Sequence, residues 1–174
     1  NIIPNITGSE SNYLAKHTVT SGQTGKTKNY LITNISDLAG NLGLDVTSLT
    51  NNKNVTVDTT KPIINTLTIS SDNQNPLLAK EGDTLTLTIN ASESINKPTV
   101  TFDIGNDTIS PTIIGTGNIY LATHVITSSQ SGLTKNFSIS NILDLAGNLG
   151  NTKTSLTNNE PVTVDTTIPV LNSV

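Results

Sequence analysis

The stretch Ile142–Pro169 reads I-L-D-L-A-G-N-L-G-N-T-K-T-S-L-T-N-N-E-P-V-T-V-D-T-T-I-P. It occurs once before, from Ile35 to Pro62, as I-S-D-L-A-G-N-L-G-L-D-V-T-S-L-T-N-N-K-N-V-T-V-D-T-T-K-P. Sliding the chain along itself by about 107 residues aligns Tyr13–Leu67 with Tyr120–Val174 without a gap, and about 35 of the 55 pairs are identical. Such self-similarity marks tandem copies of one unit. A period of that size is a whole domain, because solenoid repeats usually run about 20–50 residues. The expected organisation is residues 1–60 as the C-terminal part of one repeat, 61–167 as a complete repeat, and 168–174 as the start of a third. On this reading the chain is a piece of a longer array.

The composition points to strands. Hydrophobic residues are 33% and aromatics only 3%, and no window carries apolar residues at the 3.6-residue spacing of an amphipathic helix. Short β-branched runs alternate apolar residues with Thr and are punctuated by Gly, Asn, Asp and Ser. Asp83–Asn90 (D-T-L-T-L-T-I-N) is the cleanest case. Its period of two turns Leu85, Leu87 and Ile89 inward and Thr84, Thr86 and Thr88 to water. Ile63–Ser70 reads as a strand with Leu67 and Ile69 inward, and Thr99–Ile104 as one with Val100, Phe102 and Ile104 inward. Tyr120–Thr127 offers two faces. Thr123 corresponds to Lys16 in the first copy, and a Lys is almost never fully buried, so Tyr120, Ala122, His124 and Ile126 face inward. Asn136–Ile142 and Val162–Val164 complete the set, with a short edge strand at Thr112–Ile114. Ser71–Gly82 and the remainder of Gly105–Asn118 read as irregular connections. Seven or so strands in a unit of this length fit an antiparallel β-sandwich of about 100 residues.

The motifs A-S-E-S-I-N-K-P-T-V-T-F, Y-L-A-T-H, D-L-A-G-N-L-G and V-T-V-D-T-T-x-P, in that order, resemble the bacterial Ig-like tandem repeats of large surface adhesins and biofilm-associated proteins. The resemblance covers the complete unit and the matching part of the first copy. It implies an immunoglobulin-like sandwich, an extracellular or cell-surface location, a structural spacer role in a long stalk, and calcium-dependent stiffness. His124 departs from the pattern, since such repeats often carry an aromatic there.

Net charge is −4 with 13 acidic and nine basic residues. The basic residues form no run, which disfavours nucleic acid as a partner, because phosphate binding needs a basic face. No apolar run reaches the roughly 18 residues of a membrane span. There is no Cys, so neither disulfides nor thiol chemistry enter. One His per repeat, His17 and His124, with no adjacent acid, makes neither a zinc site nor a general base, and the expectation is that the protein is not an enzyme.

The chemistry worth placing is a cation site where repeats join. In an immunoglobulin-like topology the first strand begins at the end carrying the B–C and F–G loops. Here those are Ala91–Lys97, with Glu93, and Leu143–Glu160, with Asp144 and Asn148, while Asp58 ends the preceding copy. Asp58, Glu93, Asp144 and Asn148 are the candidate ligands, since Ca²⁺ takes six to eight oxygens. The opposing reading makes Asp37, Asp58 and Asp144 turn residues whose carboxylates accept backbone N–H bonds. The N-x-S/T triplets are as frequent as chance allows in so Asn-rich a chain, and outward Thr rows reflect strand propensity. Partners on the spacer reading are neighbouring repeats. An alternative of another class is a self-assembling subunit of an extracellular filament or sheath, in which another chain completes the first half-repeat by β-strand addition. A weak ligand-binding module would want an exposed aromatic cluster, which the sequence does not supply.

Overall fold

A computed structural model describes residues 2–26, 30–51, 53–134, 136–158 and 160–172. The chain divides into two units, Asn1–Thr60 and Lys61–Val174. Every element among the described residues is a strand or a turn, with no helix. The protein is all-β.

In the first unit, β1 (Asn5–Ser9) and β2 (Asn12–Lys16) form an antiparallel hairpin, with Asn5 opposite Lys16 and Ser9 opposite Asn12. Opposite Tyr13 within this pairing, Gly8 has a φ of +142°, and an added Cβ there would collide with the backbone of Asn12 and Tyr13. β3 (Gly25–Lys26) pairs with β4 (Thr56–Val57), and single bridges join Ile32 to Val46 and Ser36 to Leu42. None of the described residues of this unit is buried.

The second unit contains the core. β5 (Ile64–Ser71), β6 (Leu78–Ala79), β7 (Thr84–Ala91), β8 (Thr99–Ile104), β9 (Asp107–Ile109), β10 (Thr112–Thr116), β11 (Ile119–Val125), β12 (Gly132–Leu133), β13 (Phe137–Ser140) and β14 (Thr163–Val164) follow in order. One sheet has the order β10-β11-β7-β5, all antiparallel. The other strands run β13-β8-β9 and β12-β14-β6, and only the β14–β6 pair is parallel. Leu67, Leu85, Leu87, Ile89, Tyr120 and Ala122 meet Val100, Phe102, Ile104, Ile139, Val162 and Val164 in a single apolar cluster. Two faces sharing one aliphatic core make a β-sandwich.

Period two places these residues as the sequence implies: β7 alternates half-buried Thr with fully buried Leu85, Leu87 and Ile89. Thr84, Thr86 and Thr88 are half-covered rather than fully wetted. β7 is a central strand flanked by β5 and β11, and cross-strand neighbours stand only about 5 Å away. Two expected connections contain strands. Ser71–Gly82 holds β6, and Gly105–Asn118 holds β9 as well as β10, which runs two residues beyond the expected edge strand. β9 folds back on β8 with Ile104 opposite Asp107, leaving Gly105-Asn106 as a two-residue loop of the kind tight hairpins favour. Gly105 has a φ of +60°.

The two units carry the same local elements at a spacing of about 107 residues. The β10–β11 hairpin runs from Thr112 opposite Thr123 to Thr116 opposite Ile119, matching β1–β2 pair for pair. β12 and β14 match β3 and β4. The Ser36–Leu42 bridge recurs as Leu143–Leu149.

Candidate functional site

The end of the second unit where the chain comes in is built around Ile63, whose N–H is accepted by the Ser92 hydroxyl at 3.1 Å. Its carbonyl accepts the Ser92 N–H at 2.8 Å. The loop after β13 is packed against the same strand start. Gly150 faces Pro62, and a Cβ there would strike the Pro62 carbonyl oxygen. Ala91–Lys97 is tied to the Leu143–Gly150 loop by an Ile95–Asp144 bridge and by the Asn96 N–H, which the Leu143 carbonyl accepts at 2.7 Å. Asn96 Nδ2 also donates to the Asp144 carbonyl at 3.2 Å. The buried Tyr120 hydroxyl donates to the Ile95 carbonyl at 2.9 Å, fixing the loop from beneath.

Asp144 lies in this frame, 1% exposed. Its Oδ1 accepts the N–H groups of Ala146 and Asn148, each at 2.8 Å, and its Oδ2 accepts Asn148 Nδ2 at 2.7 Å. Gly147, at φ +95°, provides the left-handed step that closes the D-L-A-G-N turn. Burial pushes the Asp144 carboxyl up, but the Asn148 side chain and the backbone N–H groups of Asn148, Gly147 and Ala146 outweigh it and hold the pKa below the ordinary value. Asp37 repeats the arrangement in the first unit, with bonds from Ala39 N–H, Asn41 N–H and Asn41 Nδ2 at 2.9, 2.8 and 2.8 Å. It is exposed there, and the Asn41 side chain, then its backbone, lowers the pKa. The Asp58 Oδ1 accepts the Thr60 N–H at 2.9 Å. Asp165 does the same for Thr167. These carboxylates therefore perform the turn role.

That role does not exhaust Asp144. The half-buried Glu93 brings a carboxylate oxygen within 4.8 Å of one from Asp144. Two negative groups this close, one of them buried, favour a shared cation. No family model, curated protein or solved structure matches this chain. The chemistry is thus read from the geometry alone. Of the sequence candidates, the structure brings together Glu93, Asp144 and Asn148 within the second unit. Asp58 belongs to the first unit.

His124 is half-buried, its Nε2 paired with Gln130 Oε1 at 2.9 Å, and its ring meets Phe102 edge-on at 6.1 Å. The same Gln130 oxygen accepts the Thr127 N–H. His17 and Gln23 repeat the pair at 3.0 Å. The sequence reading found the two His but passed over Gln23 and Gln130, which sit six residues after each His in both copies. It also gave Asp83 no role beyond opening the Asp83–Asn90 stretch. Asp83 is buried and accepts Asn73 Nδ2 at 2.7 Å, the Lys80 N–H at 2.9 Å and Lys80 Nζ at 3.0 Å. The Asn73 side chain first, then the Lys80 backbone and ammonium, lower its pKa to about 2.

Proposed function

We propose that this chain is part of a tandem array of immunoglobulin-like repeats, similar to those of bacterial surface adhesins, that serves as a non-catalytic spacer in a long extracellular stalk. Support for the immunoglobulin-like reading comes from strand order: β5, β7, β11 and β10 stand where strands A, B, E and D stand in that fold, opposite strands in the C, F and G positions. The observation that carries the spacer role is the path of the chain through the second unit. It comes in at Pro62–Ile63, beside Ser92 and Gly150. It leaves at Asp165–Thr166, where the Ala79 carbonyl accepts the Asp165 N–H and the Ser128 carbonyl accepts the Thr166 hydroxyl. Ser128 follows the end of β11 that pairs with Thr84, the far end from Ile64. Eight residues of β5 separate the two ends by about 25 Å. Repeats threaded end to end lengthen an array, whereas repeats with adjacent termini would fold it back.

Calcium is the finer part of the proposal. Glu93 and Asp144 supply its carboxylates, with Asn148 beside them. The sequence expectation adds Asp58 as a third, and Asp58→Ala tests that addition separately. The decisive measurement is thermal unfolding in excess EDTA and again in millimolar Ca²⁺. A ligand bound by the native state alone stabilises it by about 2.7 kcal/mol at a hundredfold excess over its Kd. The expected result is a higher melting temperature with Ca²⁺, abolished by Glu93→Ala and unchanged by Glu10→Ala. Superimposable curves would remove calcium from the proposal and leave Asp144 as a turn residue. Sedimentation over a range of concentrations tests the spacer: an 18.3 kDa monomer throughout fits it, and concentration-dependent fibres would replace it with the filament reading.

A further inference from the structure

The edge strands of the second unit are not alike. A sheet edge presents unpaired N–H and C=O groups, and folded proteins shorten, charge or cover such strands. β5 is covered: the Leu67 N–H donates to Thr157 Oγ1 at 3.0 Å, and the Leu67 carbonyl accepts the Thr157 N–H at 2.9 Å. β13 is covered by Lys153, which exchanges two backbone bonds with Ile139 at 2.9 and 3.0 Å. β6 and β12 are two residues long, and β9 is three residues long and carries the exposed Asp107. β10 has none of these protections. It ends the order β10-β11-β7-β5, and its five residues T-I-I-G-T carry no charge. Among the described residues only β11 pairs with it.

The register says which groups of β10 are open. Thr116 and Ile119 flank the two-residue turn Gly117-Asn118, so they form a hydrogen-bonded pair, and such pairs alternate along an antiparallel ladder. Ile114 and Thr112 therefore bond to β11, while the N–H and C=O of Ile113 and Gly115 point away from it. These two residues are two apart, so a two-fold axis through Ile114 sets Ile113 of one chain opposite Gly115 of another, twice. Each such pair exchanges both backbone bonds. Ile113 packs on the core, so Ile114, 55% exposed, lies on the outer face. It meets its own copy at a non-hydrogen-bonded position, where Cα atoms approach to about 4.5 Å. We propose that β10 is a homotypic docking edge at which two copies of this chain join antiparallel through Ile114. A second copy is the occupant because the strand is complementary to itself: no charge faces a charge, both partners are already extended, and each supplies the bonds the other lacks. The equivalent centre in the first unit is Thr7, without the apolar contact. A five-residue seam falls far below the roughly 1,200 Å² of a stable interface, so a single pairing is weak. It closes at two chains, and a dimer leaves the spacer reading intact, since only fibres replace it.

The chain has no Cys, so the test places one thiol at a time on the intact protein. Ile114→Cys puts two sulfurs across the two-fold axis at a Cα separation that a disulfide spans. Thr112→Cys, on the same exposed strand, lies opposite Thr116 of the second copy and more than about 10 Å from its own equivalent. In a glutathione buffer at rising chain concentration, Ile114→Cys should form covalent dimer about tenfold faster than Thr112→Cys, or more. Sedimentation of the unsubstituted chain should show a monomer–dimer equilibrium that Ile114→Lys abolishes, because that change sets like charges directly opposite each other. Ile114 is exposed, so neither substitution there disturbs the core. Equal crosslinking rates would overturn the proposal. So would a dimer that Ile114→Lys leaves unchanged, or a chain that stays monomeric up to millimolar concentration.

Discussion

Tyr13 and Tyr120 belong to the same hairpin in two copies, yet one is 68% exposed and the other 5%. The hairpins match pair for pair in register, and each sets a glycine of positive φ, Gly8 or Gly115, opposite its tyrosine. Local sequence is therefore sufficient to define the hairpin but not to bury it. Burial comes from β7 and β8, which have equivalents only in the second unit among the described strands. The two copies separate what a strand owes to its own residues from what it owes to its partners. For this β-sandwich the second contribution supplies the core, because alternation exposes one face of every strand until another sheet closes over it.

That division predicts very different costs for identical substitutions. Ile139→Ala removes a fully buried side chain at the centre of the core and should destabilise the second unit by about 2–5 kcal/mol. Ile32→Ala, at the equivalent position but 56% exposed, should change stability by less than about 0.5 kcal/mol. Urea midpoints followed by circular dichroism would check both. Equal losses would mean that the first unit buries Ile32 after all, and the contrast between the units would disappear.

A smaller difference is expected from the tyrosines. Tyr120→Phe leaves the ring in place but deprives the buried Ile95 carbonyl of its donor, which should cost about 1–2 kcal/mol. Tyr13→Phe should be silent. If calcium joins Glu93 to Asp144, Tyr120→Phe should also weaken the Ca²⁺-induced rise in melting temperature, since Ile95 holds both loops together. A stability loss with an unaltered calcium response would show that the tyrosine supports the core and not the loops.

The parts of the fold legible in sequence are those governed by period and repetition. Leu85, Leu87 and Ile89 could be assigned inward because alternation is a property of the strand itself, and Lys16 settled the face of Tyr120 because both copies adopt one pairing. β6 was missed for the opposite reason. Leu78–Ala79 is a strand only because β14 lies beside it in parallel, and no local pattern reports a partner more than 80 residues away. β9 did carry a signal, the Gly105-Asn106 pair, which the surrounding irregular composition masked. At the candidate site, Glu93 and Asp144 were placed together from loop topology alone. The three N–H bonds to Asp144 follow from the D-x-A-G-N spacing, whereas its near-complete burial depends on the Ala91–Lys97 loop covering it.

Asp83 extends the comparison to acid. It lies just ahead of β7, a strand of the second unit, so its acid response is read on that unit. Its pKa is lowered to about 2 by the Asn73 side chain, then by the Lys80 N–H and ammonium. A carboxylate whose folded pKa lies below its unfolded value near 3.9 stabilises the fold at every pH above that value. The contribution is lost as pH falls from about 4 to about 2, where the folded form also takes up the proton. Asp144, also lowered, adds to the slope in the same direction. Asp83→Asn should therefore flatten the decline of unfolding midpoint over this window while lowering the plateau at neutral pH. The Lys80 ammonium is largely exposed, and its surface ion pair is weak and screened by salt. Lys80→Ala should then change the slope less than Asn73→Ala does, because Asn73 donates to the carboxylate directly from within the turn. An equal effect of the two variants would reassign the depression of the Asp83 pKa from hydrogen bonding to charge.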